Sequence, residues 1–213
     1  MSRTRLAWML LIAAVGVVPL LAANGTFSTG NPAAPIPDST GALGTCQTIT
    51  VPSVSGEDVV GDVNVSIAAS HSWIGDLTFR VQAPGGSQLT ILNRPGRLGS
   101  GPGESDDLAT GTPILYDDTA PSGVSAESMG AGCAGIIGVT AGCPNNYIPN
   151  NGGADTPIAG VGTNLAQYTG LAANGVWTLC VADSAGGDTG TLTSWSLTFT
   201  GSTPVELQDV SVE

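Results

Sequence analysis

The sequence contains no lysine, and its only strongly basic residues are five arginines against 17 acidic residues, for a formal net charge of −12. Such a surface repels phosphate backbones and anionic lipid, which disfavours nucleic-acid and membrane partners. Histidine occurs once, at His71. A serine or cysteine nucleophile working through a histidine base would therefore have to use that residue. There is no H-E-x-x-H motif, and the four cysteines lack the close C-x2-C pairing of a zinc site. Acids are plentiful, yet nothing singles out a carboxylate pair for glycoside hydrolysis. No segment has helical periodicity of useful length, and no second long apolar run follows the first.

The first run is at the N-terminus. Arg3 and Arg5 precede Leu6 to Leu21, which is apolar except for Gly16 and Pro19, and Ala22-Ala23 supplies small residues for cleavage. This reads as a secretory signal peptide over residues 1–23. The run is shorter than the roughly 20 residues of a spanning helix. No cysteine lies at the cleavage region, which argues against a lipoprotein. Cleavage would remove Arg3 and Arg5 and take the net charge to −14. The expected location is extracellular or periplasmic, and the mature chain is expected to be soluble.

Residues 24–44 are rich in Pro, Gly, Ser, Thr and Ala and read as a flexible linker. Residues 45–201 carry strand patterns. Val63, Val65, Ile67 and Ala69 alternate with Asp62, Asn64, Ser66 and Ala68. Leu77, Phe79, Val81 and Ala83 alternate with Thr78, Arg80 and Gln82. Trp177, Leu179 and Val181 alternate with Val176, Thr178 and Cys180, and Trp195, Leu197 and Phe199 with Ser194, Ser196 and Thr198. A period of two marks half-buried strands. Shorter strands are expected at Cys46–Val51, at Leu89 and Ile91, and at Ile114–Tyr116. The 31 glycines and 14 prolines fall largely between these runs, which points to an all-β sandwich or barrel. The stretch from Ala120 to Gly162 is loop-rich. Residues 202–213 form a C-terminal tail that begins near a PVEL sequence, and their plain reading is a frayed end.

An even number of cysteines after a signal peptide predicts two disulfides. Three connectivities are open. Cys133 and Cys143 share one Gly-rich loop and can find each other locally, which favours Cys133–Cys143 and leaves Cys46–Cys180.

Two blocks carry a family resemblance. The first is HSWIGDLTFRVQAPGG, with His71, Trp73, Gly75-Asp76-Leu77 and Pro84-Gly85-Gly86. The second is GVWTLCVADSAGGDTGTLTSWSLTFTG, with Gly175, Trp177, Leu179, Asp183, Gly187-Asp188, Gly190, Leu192 and Trp195-Ser196-Leu197. Together they resemble the P domain, or Homo B domain, of the subtilisin-like proprotein convertases. The resemblance implies a jelly-roll β-sandwich of the galactose-binding-like type. It implies a non-catalytic module that stabilises a neighbouring protease and modulates its calcium and pH dependence. The residues ahead of the domain are too few for a subtilisin fold. His71 falls on the family's structural motif, so it is expected to be non-catalytic.

Asp76, Asp117, Asp118, Asp183 and Asp188 lie at strand ends or in turns, the last two beside Gly186, Gly187 and Gly190. With the family's calcium association they are candidate Ca2+ ligands, since calcium takes six to eight oxygens in a flexible loop. A single shared site would need Asp76, Asp117 or Asp118, and Asp183 at one end of the sandwich. Two other readings are open. The chain could be part or companion of a subtilisin-like serine endopeptidase, or a carbohydrate- or cell-surface-binding module. A sugar platform would use Trp73, Trp177 and Trp195, although the phase of Trp177 and Trp195 places those two in the core.

Overall fold

The computed structural model describes residues 21–29, 33–38, 44–53, 57–97, 99–109, 112–133, 135–150 and 164–201. Most of the expected signal peptide, part of the linker and the whole C-terminal tail lie outside the described residues. The protein is an all-β sandwich. Its strands are β1 (Leu21–Ala22), β2 (Gly25–Ser28), β3 (Ala34–Ile36), β4 (Thr45–Val51), β5 (Glu57–Val59), β6 (Asp62–His71), β7 (Leu77–Gln82) and β8 (Gln88–Asn93). Four short strands follow: β9 (Asp107–Leu108), β10 (Ile114–Tyr116), β11 (Ile136–Ile137) and β12 (Asn146–Tyr147). The chain then returns as β13 (Gly175–Asp183) and β14 (Gly190–Thr200).

One sheet has the order β4-β13-β7-β8, antiparallel throughout. The other is built on the long antiparallel pair β6–β14, with β9 and β10 on the far side of β6. The alternating apolar positions face between the sheets. Val63, Val65, Ile67, Leu77, Phe79, Val81, Trp177, Leu179, Val181, Trp195, Leu197 and Phe199 are all buried. Trp177 of one sheet meets Phe199 of the other edge-on at 5.6 Å between ring centroids, and Tyr168 packs edge-on against Trp177 at 5.1 Å. Aromatic pairs in this geometry contribute beyond their buried area.

The expected linker is not all linker. β2 and β3 pair antiparallel with the edge of β14, from Phe199↔Gly25 to Ser196↔Ser28 and from Leu192↔Ala34 to Gly190↔Ile36. Phe27 packs edge-on against Phe199 at 5.9 Å, and Ile36 is buried. An edge strand with open N–H and C=O groups recruits such a segment even where few side chains are apolar. The cysteines pair as Cys46–Cys180 and Cys133–Cys143, the connectivity expected from the loop argument.

Candidate functional site

The two sequence blocks meet where β6 ends. After His71 the chain makes a 3-10 turn at Ile74–Asp76 and crosses into the other sheet as β7. The turn is pinned from outside. Ile74 N–H donates to the Asp106 carbonyl at 3.0 Å and Gly75 N–H to the Glu104 carbonyl at 2.9 Å. A Cβ on Gly75 would lie 2.5 Å from the Glu104 nitrogen, so only glycine fits there.

The polar side chains of the turn face inward and are matched. His71 Nε2 lies 3.2 Å from Asp183 Oδ2, and neither side chain is exposed. His71 Nδ1 lies 2.8 Å from the Trp73 carbonyl, and the Trp73 N–H approaches the same nitrogen at 3.2 Å. Asp183 Oδ1 accepts the Ala185 N–H at 3.0 Å. Arg94 comes in from the end of β8. Its Nε donates to the Gly75 carbonyl at 3.0 Å and its Nη2 to Asp76 Oδ1 at 3.1 Å. Outside this layer Ser72 Oγ donates to Asp188 Oδ1 at 2.8 Å. Among the described residues neither ring nitrogen of His71 bonds a hydroxyl or thiol.

Burial pushes the Asp76 carboxyl up to about 6 from the usual 3.8; Asp183 and Asp188 add to this, and His71 and Arg97 pull the other way. The Arg94 bond does not cancel the burial. A carboxyl raised in the folded state stabilises the protein below its unfolded value, and that contribution is lost as the pH rises through about 6. Wild-type stability should therefore fall between pH 4 and pH 6 more steeply than that of Asp76→Asn. Urea midpoints across that range decide it, and parallel curves would remove Asp76 as the source.

The five aspartates expected as calcium ligands do not come together. Asp76, Asp183 and Asp188 lie at the His71 end of β6. Asp117 and Asp118 lie toward its start, because Tyr116 pairs with Val65. About six residues of strand, at roughly 3.3 Å each, separate the two groups by about 20 Å. They fall into two separate groups, each with its own protein partners. Asp117 Oδ1 accepts the Thr119 N–H at 2.7 Å and hydroxyl at 2.8 Å, while Oδ2 accepts Asn64 Nδ2 at 3.1 Å. Asp118 accepts the N–H groups of Leu165 and Ala166 at 2.9 and 2.8 Å, capping the 3-10 turn Leu165–Tyr168 from far along the chain. Burial, and then the neighbouring Asp117, raise the carboxyl of Asp62 beside them. Among the described residues no group of three His, Cys, Asp or Glu side chains has the arrangement of a metal site.

Trp177 and Trp195 are buried, so neither contributes to a sugar-stacking platform. Trp73 is half-buried, with its indole N–H on the Pro102 carbonyl at 2.9 Å. The residue that sequence reasoning missed is Arg94. Its one signal is rarity, as one of three arginines after residue 23.

Residues 159–199 match the family model of the proprotein convertase P-domain. This part of the chain is similar to a P domain. It spans the second block, so the P-domain residues Asp183 and Gly190 are those that contact His71 from the first. Two crystal structures are similar at low level. The serine protease of Aeromonas sobria matches with 16% identity and a TM-score of 0.36, over 82% of this chain and 27% of that one. The complex of that protease with its chaperone matches with 16% identity and a TM-score of 0.34, over 81% of this chain and 26% of that one. The chain thus spans about a quarter of the length of those proteins. No curated protein matches the sequence. Among the described residues no helix is long and apolar enough to cross a membrane.

Proposed function

We propose that this chain is a secreted, non-catalytic P-domain module that stabilises or assists a partner protease. The observation that carries the reading is the state of three block residues and Arg94. His71, Asp76, Asp183 and Arg94 are buried and satisfied by one another, so the polar chemistry shared with P domains is spent on holding two sheets together. The resemblance implies calcium as well. The described side chains do not form a site that fits it, so the proposal includes no calcium-dependent step. Secretion rests on the N-terminal pattern of Arg3, Arg5 and the apolar run, together with two disulfides.

Two results test the proposal together. The purified mature chain is expected to leave denatured casein intact. Immobilised, and exposed to the proteins its own host secretes, it is expected to retain a protein labelled by a fluorophosphonate, the reagent for active serine hydrolases. Turnover of casein that a serine-directed inhibitor stops would overturn the non-catalytic reading. Retention of no labelled protein would overturn the partner reading.

A further inference from the structure

Beyond that reading, we infer that the cleft beside the end of β6 docks a segment of another protein that presents a lysine or arginine side chain next to an aliphatic residue. The cleft holds about 350 Å³, within the usual size of sites that take ligands. It opens where three strands meet. β6 ends at His71, β9 pairs with it through His71↔Leu108, and β11 pairs with β9 through Ile136↔Asp107 and Ile137↔Leu108. Thr189, just before β14, lines it as well.

The lining selects the chemistry. Much of its polar capacity is already used. Both ring nitrogens of His71 have partners, and the Ser72 hydroxyl donates to Asp188 Oδ1 and accepts the Thr189 N–H at 3.3 Å. Asp107 is different. It lines the cleft, it is exposed, and it forms no ion pair among the described residues. No described arginine lines the cleft, so an anion finds no countercharge there. No described Trp, Tyr or Phe lines it either, so a sugar ring has no stacking face. One carboxylate is too few for calcium. Leu108, Ala109 and Ile136 supply apolar wall, and a wholly apolar ligand would take water from Asp107 without replacing it. A lysine or arginine side chain suits both parts, with its stem on the wall and its charged head at the carboxylate.

The apolar surface continues past the cleft, which points to a protein segment rather than a free amine. Ile136 is 39% exposed and Val139 59%, two of the three exposed large hydrophobic residues among those described. Both sit in the loop closed by Cys133–Cys143. That loop is tied internally as well. The Val139 and Thr140 N–H groups donate to the Ile136 carbonyl at 3.2 and 2.9 Å, and the Ile136 N–H donates to Thr140 Oγ1 at 2.8 Å. The staple and these bonds fix the two side chains before anything binds, so less ordering is lost on docking. Charge agrees with a basic partner. After residue 23 the chain has three arginines and no lysine against 17 acidic residues, and complementary charge steers and orients such an encounter.

The test titrates the full oxidised, isotope-labelled chain with the peptide acetyl-Leu-Arg-Leu-amide and follows backbone amides by NMR. Saturable shifts are expected at Leu108, Ala109, Ile136 and Thr189, with this peptide and with its lysine counterpart. Counterparts carrying norleucine or glutamate in the central position are expected to bind more weakly, and Asp107→Asn is expected to weaken the arginine peptide by about 2- to 5-fold. Shifts confined to other residues, equal binding of the norleucine or glutamate peptide, or an unchanged affinity in Asp107→Asn would overturn the cationic assignment. Methylguanidinium alone is expected to bind more weakly than the peptide. Ile136→Ser and Val139→Ser should weaken only the peptide. Methylguanidinium binding as tightly as the peptide would overturn the assignment to a protein segment. All three substituted residues are exposed, and the amide spectra of the variants show that they are folded. The result is independent of whether the partner is a protease, so it stands or falls separately from the retention experiment above.

Discussion

Replacing Cys46 and Cys180 together by serine is expected to remove about 5 kcal/mol of stability. The bond joins residues 134 apart in sequence, so it removes a large loop-closure entropy from the unfolded chain. The native side is barely affected. β4 and β13 are held by a seven-residue register from Val51↔Gly175 to Thr45↔Val181, which persists without the sulfur bridge. The same replacement at Cys133 and Cys143, only 10 residues apart, is expected to remove a little under about 3 kcal/mol. Since whole domains are stable by about 5–15 kcal/mol, the first variant should lie near the edge of folding and the second should not. Urea midpoints of the two double variants test this, and a larger loss from the short loop would contradict it.

The second large effect is expected at Asp183. Its carboxylate and the His71 ring are both fully buried and face each other at 3.2 Å. Asp183→Ala leaves that ring nitrogen without its partner and strands the Ala185 N–H, and breaking a buried pair from one side typically destabilises by about 3–5 kcal/mol. Asp183→Asn keeps an acceptor and should lose less. Asp188→Ala, which removes only the exposed bond from Ser72, should stay within about 0.5 kcal/mol. Equilibrium unfolding of the three variants compares them directly. Equal losses at Asp183 and Asp188 would mean that burial is not what gives Asp183 its weight.

The strands of the two sheets were legible because alternation is a local property. Val63 to Ala69 and Leu77 to Ala83 show their inward faces without knowledge of any partner. The cysteine pairing was legible for a similar reason, since loop proximity favoured one bond and left the other. What was not legible depends on distant contacts. Asp118 reads as a candidate ligand beside Asp117, but its role is to cap a turn 47 residues away. Arg94 reads as an ordinary loop arginine, and only the fold places it over Asp76. Residues 24–44 read as linker because Phe27 and Ile36 are almost the only large apolar residues in them. Their pairing comes from the unsatisfied edge of β14, which no pattern within residues 24–44 reveals. The acidic residues at strand ends stand out in the sequence as a class. Their partners, Arg94, His71, Asn64 and backbone N–H groups, were not visible in the spacing.

The account turns on whether the polar residues of the P-domain blocks hold the sandwich by pairing with one another. Urea unfolding of the wild type and of Asp183→Ala, each in EDTA and in millimolar Ca2+, tests this most directly. The predicted result is one loss of stability, about 3–5 kcal/mol, of the same size in both conditions, because His71 and the Ala185 N–H are the partners left behind. A loss seen in Ca2+ and absent in EDTA would make Asp183 a metal ligand and contradict the account.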